Sequence, residues 1–293
     1  MTASSPKPQV TTPESEPKLR HEFVGMMFAV AVGEVGVQTA TLVQAHNWVH
    51  FLPAYFHLLL ATVLIATSWV GWTLSPSPGA RTDVRNVFEW EFFVLLLDML
   101  LVVIYFILAK SVDITGEKDI HLKASAAPEA FWVLVVFCVY LVWDFVSKVP
   151  LYTKKRRSEP WFRNYGVRII PTLVCLILAY VTKRLVADVD APHVLTADLA
   201  LIFLILLFRA LKDLTSALFP RAEVHKDSVR TKRVRAIVWS LSFGLCFVLG
   251  LMWTQLWPIP ERIAAAIKTV RSDNIPAESP IPIQPPAKAT VEH

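Results

Sequence analysis

The chain has 293 residues, of which 54% are hydrophobic and 18% are charged, and its formal net charge is +5. A soluble chain carries about 25% charged residues, and here the charges cluster between long apolar runs, which excludes two soluble domains and indicates a polytopic membrane protein. Because the basic residues flank those runs, membrane topology and anionic lipid explain the positive charge, and we predict no nucleic-acid partner.

The apolar runs predict the architecture in chain order. Residues 1–22 are polar and rich in proline, which predicts a disordered N-terminal arm. Seven later stretches reach about 20 residues, the length that a helix needs to cross a bilayer. The sequence therefore predicts an all-α membrane helix bundle over residues 23–257, with seven transmembrane helices, or six if the first stretch lies flat. Residues 258–293 predict a short helix and a Pro-rich disordered tail. The predicted spans are residues 23–44, 52–74, 88–109, 130–149, 166–186, 195–218 and 234–257.

The basic residues are distributed unevenly between the two sets of connecting segments. With a cytoplasmic N-terminus, the cytoplasmic segments hold 18 Lys and Arg residues and the opposite segments hold 9. The positive-inside rule therefore predicts a cytoplasmic N-terminus. We expect the protein to be an integral, multi-pass protein of a bacterial inner membrane.

Two acids lie near the middle of predicted spans. Glu34 is followed by Gln38 at i+4, and Asp98 shares one helical face with Glu91 and Tyr105, each seven residues away. A charge at the bilayer centre costs at least ~2.5 kcal/mol. We therefore expect Glu34 and Asp98 to meet at similar depth, and all five side chains to line a path for protons or cations. The alternative is that the two acids are protonated packing residues and that Glu91 interacts with the helix dipole.

A row of small residues lies on the first predicted span. Gly25, Ala29 and Gly33 recur every four residues, a pattern that lets another helix approach closely. We therefore expect the first helix to lie inside the bundle. The same row would also suit contact with a second copy, because small polytopic channels commonly form homo-oligomers.

Further charged residues lie within or beside the spans. Asp144 and Lys148 have i,i+4 spacing, as do Arg209 and Asp213, which favours local ion pairs. Arg209 alternatively reaches Asp144 on another helix, or extends to the lipid headgroups. Asp198 lies in the first turn of the predicted sixth helix, a position typical of an N-terminal capping acid.

Two basic segments and a histidine pair complete the candidate sites. The basic segments would bind anionic lipid headgroups or an acidic protein partner, although topology alone also explains them. His46 and His50 have a spacing that suits a metal ion if their segment is helical, but no nearby carboxylate or thiol completes the site. The basic residues are Lys154, Lys155, Arg156, Arg157, Arg230, Lys232, Arg233 and Arg235.

These patterns favour a channel or transporter for protons or cations. The alternative is a non-transporting membrane scaffold or effector subunit that binds anionic lipid or a protein through its basic segments. The sequence has no HExxH, GxSxG or P-loop motif, so an enzyme is disfavoured, and a membrane hydrolase would depend on Glu34 and Asp98 alone. No cofactor is predicted, because haem needs histidine pairs and His57 alone lies even partly within a span.

Overall fold

The computed structural model describes residues 19–44, 51–73, 88, 90–111, 114–115, 121–122, 125–147, 167–186, 191–219 and 226–256. These residues form seven helices that are long and apolar enough to cross a membrane, which confirms the predicted all-α bundle. A two-residue antiparallel pair, β1 Ile114–Thr115 and β2 His121–Leu122, lies between the third and fourth helices. The helices are α1 Leu19–Val43, α2 Leu52–Thr73, α3 Trp90–Lys110, α4 Ala127–Val146, α5 Val167–Val186, α6 Ala191–Leu218 and α7 Lys226–Leu256.

Several helices begin earlier than the apolar runs predict. Residues 19–22, assigned to the arm, belong to α1, and this helix is long enough to span, so the six-span alternative loses its basis. α6 begins at Ala191, because Pro192 is compatible with a first helical turn. α7 begins at Lys226, since Lys and Arg are good helix formers outside the apolar run. The remainder of the predicted arm and the predicted tail lie outside the described residues.

Contacts between neighbouring helices fix their directions. Phe28 of α1 packs on Trp69 near the end of α2, while Leu42 packs near Ala54 at its start, so these helices are antiparallel. Side-chain contacts between the other neighbouring helices show their directions in the same way. Helices α2, α4 and α6 are parallel to one another and antiparallel to α1, α3, α5 and α7. We call the end of the bundle where α1, α3, α5 and α7 begin the N-face and the opposite end the C-face. That the N-face is cytoplasmic stays a prediction.

The core lies between α2, α3, α4, α5 and α6, and α6 is the most buried helix. Lipid tails are as apolar as the core side chains, so close packing and hydrogen bonds hold the helices together. α1 lies at the edge of the bundle, since Gly25 packs on Trp69 but a Cβ on Gly33 would meet nothing within 4 Å. The expectation that α1 lies inside the bundle is therefore wrong, and contact with a second copy stays a prediction.

A close contact between α7 and α6 predicts a sensitive position. A Cβ on Gly250 would lie 3.2 Å from the Ala200 Cβ and 3.4 Å from its Cα. Gly250→Val should therefore separate the helices and destabilise the protein by about 1–3 kcal/mol, measured as thermal unfolding by circular dichroism in detergent. Gly33→Val is the matched control, because its side chain enters open space. Equal melting temperatures for the two variants would contradict this packing.

Candidate functional site

The structure does not bring Glu34 and Asp98 together. The rings of Phe28 on α1 and Tyr105 on α3 have centroids 6.0 Å apart, which aligns these two parallel helices. Glu34 follows Phe28 by six residues, and Asp98 precedes Tyr105 by seven. At a rise of about 1.5 Å per residue, the two carboxylates are separated by roughly 20 Å along the bundle. The expected meeting of the two acids at one depth is therefore wrong.

Asp98 is buried between two tryptophans. Its Oδ1 accepts a hydrogen bond of 2.8 Å from Trp143 Nε1, and its Oδ2 accepts one of 3.3 Å from Trp72 Nε1. Trp72 is the last residue but one of α2, and Trp143 lies one turn before the end of α4. Asp98 therefore lies in the N-face half of the bundle, bonded to α2 and α4 rather than to α1 as expected. The two indole N–H groups offset part of the cost of burying the carboxylate.

The other residues of the predicted path form separate contacts. Glu34 is half-buried and accepts a hydrogen bond of 2.8 Å from the Gln38 amide. The Tyr105 and Tyr140 hydroxyls are 2.8 Å apart, and Tyr140 also bonds the Ser68 hydroxyl, which donates to the carbonyl of its own helix. This chain of hydroxyls joins α2, α3 and α4, and it ends at a backbone carbonyl rather than at an ionisable group.

The charged residues near the N-face form two pairs. Asp144 Oδ2 lies 2.5 Å from both Lys212 Nζ and the Thr172 hydroxyl, so α4, α5 and α6 meet at this carboxylate. Arg209 Nη2 lies 3.4 Å from Asp213 Oδ1, the residue four positions later on the same helix. The described contacts pair Asp144 with Lys212 and not with Arg209. Lys212 was missed as a site residue, although a lysine within so long an apolar run is itself a signal.

Several predicted positions fall outside the described part of the chain. They are the side chains of Glu91 and Arg230, together with Lys148, His46, His50 and residues 154–157. The side chains of Lys232, Arg233 and Arg235 on α7 are described, and all three are exposed.

A second group of ionisable residues lies near the C-face, where the sequence predicted no site. His57 of α2, Glu129 in the first turn of α4 and Asp198 in the third turn of α6 are all buried. His57 Nδ1 lies 2.5 Å from Glu129 Oε1, and His57 Nε2 lies 2.6 Å from the Leu108 carbonyl oxygen of α3. The carboxyl groups of Glu129 and Asp198 are close enough for their charges to interact. We call these three residues the C-face cluster.

The hydrogen bonds of His57 determine how protons are distributed in this cluster. A carbonyl oxygen can only accept, so Nε2 carries a proton for Leu108. The second proton lies between Nδ1 and Glu129 Oε1, either on a charged imidazolium or on a neutral carboxylic acid. In both forms the His57–Glu129 pair is electrically neutral.

Three carboxyl oxygens of the C-face cluster have no hydrogen-bond partner among the described residues. They are Oε2 of Glu129 and both oxygens of Asp198, whose side chain is 0% exposed. An ionised carboxylate in such surroundings is so costly that it takes up a proton or a counter-ion. The described residues contain no group of three or more His, Cys, Asp or Glu side chains placed to hold a metal ion.

The sequence contains a signal for this cluster in the positions of its three residues along the predicted spans. Asp198 was expected to cap a helix, which is wrong because α6 begins seven residues earlier. Glu129 lies one residue before the predicted fourth span and was assigned to a loop. His57, Glu129 and Asp198 all lie near the starts of even-numbered spans, and parallel helices bring their starts to the same end of a bundle.

The chain matches no protein family, no curated protein and no solved structure. Its seven apolar helices make it an integral, multi-pass membrane protein. Any more specific function must therefore be argued from the chemistry of its buried polar residues.

The two indole bonds to Asp98 predict a large effect of its removal. Asp98→Leu leaves the Trp72 and Trp143 N–H groups buried without this acceptor, and each stranded donor costs about 1–3 kcal/mol. We expect a lower melting temperature in detergent, measured by circular dichroism. The triple variant Asp98→Leu/Trp72→Phe/Trp143→Phe should recover much of the loss, because it removes donors and acceptor together. A wild-type melting temperature for Asp98→Leu would contradict a stabilising role.

Proposed function

We propose that this membrane protein translocates protons, as a channel or a transporter, and that the C-face cluster is its proton-binding site. The observation that carries the proposal is the fully buried Asp198 carboxyl, for which the described residues provide no hydrogen-bond partner, together with the Glu129 Oε2 that likewise has none among them. Ionisable side chains within membrane spans are rare, and they commonly mark ion pathways and proton relays.

The cluster has the chemistry that reversible proton binding requires. With Asp198 protonated and the His57–Glu129 pair neutral, the site carries no net charge. Loss of the Asp198 proton creates one negative charge in a low-dielectric interior, where it is expensive. Release of the proton should therefore accompany a rearrangement that admits water or a counter-charge. His57 limits the cost of the Asp198 charge. When its ring is the charged imidazolium, its positive charge is shared between the Glu129 and Asp198 carboxylates.

The path first suggested by the sequence has less support. Asp98 is already bonded to two indole donors, and Tyr105 belongs to a hydroxyl chain that ends at a carbonyl. Glu34 and Gln38 bond each other on α1 at a different depth from Asp98. Glu91 stays a candidate on its sequence position alone.

A second candidate function is that of a non-transporting subunit that docks on anionic lipid. It is favoured by α7, whose 31 residues extend over about 46 Å, more than the ~30 Å of a bilayer core. Lys232, Arg233 and Arg235 are exposed at its N-face end. Each would contribute about 1 kcal/mol to the free energy of binding to anionic headgroups. Under either proposal we place the protein in a bacterial inner membrane, with the N-face toward the cytoplasm.

Proton binding and proton transport can be tested separately. Dicyclohexylcarbodiimide reacts with protonated carboxyl groups in apolar surroundings and leaves a stable acylurea that peptide mass spectrometry locates. We expect labelling at Asp198 or Glu129 that declines as pH rises, and none at Asp213, which is exposed and paired with Arg209. Labelling of Asp213 but of neither buried acid would contradict a proton site in the cluster.

Transport is tested in vesicles that contain a pH-sensitive dye, with a potassium gradient as the driving force. Asp198→Asn should lower proton flux by more than about tenfold, because an amide cannot carry the proton. Asp213→Asn is the matched control and should retain wild-type flux. Equal flux in wild type and Asp198→Asn, with both proteins folded, would favour the lipid-docking subunit.

A further inference from the structure

A thick apolar layer separates the C-face cluster from the N-face. Residues 199–208 follow Asp198 on α6, and residues 130–139 follow Glu129 on α4; neither stretch contains a charged or hydroxyl side chain. At about 1.5 Å per residue, each stretch is about 15 Å long. Fully buried side chains from three helices fill this depth, and we call them the apolar layer. They are Leu60, Leu64, Val133, Phe137, Leu201 and Leu204.

The described hydroxyl groups near this depth do not connect the C-face cluster to the N-face. Thr62 and Thr67 of α2 donate their hydroxyls to carbonyls of their own helix, and the chain of hydroxyls from Tyr105 through Tyr140 to Ser68 ends at a carbonyl of α2. Protons move along chains of hydrogen-bonded groups or water, and tightly packed aliphatic side chains offer neither. In this conformation the cluster is therefore insulated from the N-face.

The C-face cluster lies close to the C-face ends of its helices. Glu129 is the third residue of α4, and Asp198 is the eighth residue of α6, so both acids lie within about 10 Å of their helix starts. Small apolar residues from α5, α6 and the start of α4 form a separate buried cluster at the same end of the bundle. These are Ala126, Val186, Val194 and Ala197.

The titratable groups around Asp198 come from several helices. Glu129 of α4 acts on it directly, and His57 of α2 acts through Glu129. α3 contributes the Leu108 carbonyl to His57, and the part of α7 that packs on α6 near Ala200 carries no charged residue. A pH response of the buried acids therefore belongs to the cluster. Among the side chains that the structure describes, the charged residues and histidines farther toward the C-face are Lys110, Lys183, Arg184 and His193.

We propose that the C-face cluster exchanges its proton with the compartment at the C-face, and that the apolar layer closes its path to the N-face. This inference rests on the proton site proposed above. It assigns the structure to one state of a transport cycle, in which the site faces the C-face compartment. Passage to the N-face then requires water to enter between α2, α4 and α6, or those helices to shift.

The sidedness is tested with oriented vesicles and the same carbodiimide, which crosses membranes and labels only protonated acids. A one-unit rise in pH on the C-face side should lower labelling of Asp198 or Glu129 by up to about tenfold, as for titration of a single proton. The same rise on the N-face side should leave labelling unchanged. Orientation is established by adding a protease to one side, which removes an N-terminal tag.

Two outcomes separate this inference from the proposed function. Labelling that follows the pH on the N-face side overturns the sidedness and leaves the proton site intact. The absence of labelling at Asp198 and Glu129 at any pH overturns the proton site itself, and the proposed function with it.

The apolar layer is tested by placing a hydroxyl group within it. Leu204→Ser should make labelling respond to the pH on both sides, while Leu245→Ser, on the exposed surface of α7, should not. Ile205→Thr keeps a branched side chain at a buried position and serves if Leu204→Ser does not fold. Folded Leu204→Ser or Ile205→Thr protein that keeps wild-type sidedness would overturn the role of the layer as the barrier.

Discussion

A carboxylate inside a membrane must be protonated or bonded, and this constraint organises the bundle. Asp98 is held by two indole groups, Asp144 by Lys212 and a threonine, and Glu129 by His57. In each case the partner lies on a different helix. Because lipid tails solvate apolar helix surfaces as well as other helices do, such interhelical bonds contribute strongly to alignment. The buried acids therefore connect α2, α3, α4, α5 and α6.

Asp198 differs from these three acids, and the proposed proton site rests on this difference. Its carboxyl is as buried as any group in the core, yet no described residue bonds either oxygen. Buried polar groups without partners are rare in folded proteins, and they concentrate where a ligand, an ion or a proton is exchanged. A residue that served packing alone would be replaced at lower cost by leucine or threonine.

The two halves of the bundle thus have different properties. Toward the N-face, the polar groups bond one another and join several helices, as in the chain from Tyr105 through Tyr140 to Ser68. Toward the C-face, three carboxyl oxygens of Glu129 and Asp198 have no hydrogen-bond partner among the described residues. The apolar layer lies between the two halves. α1 and α7 lie outside this arrangement and expose apolar surfaces suited to lipid.

The sequence by itself determined the fold class and the helices, because only a helix of about 20 apolar residues satisfies its backbone within a bilayer. It also determined contacts within one helix, such as Arg209 with Asp213, since helical periodicity fixes i,i+4 neighbours. Only the tertiary structure decided that Glu34 and Asp98 lie at different depths, that Lys212 meets Asp144, and that His57 and Glu129 assemble beside Asp198. The rotation and axial shift of one helix against another depend on side chains from both, and no single segment encodes them.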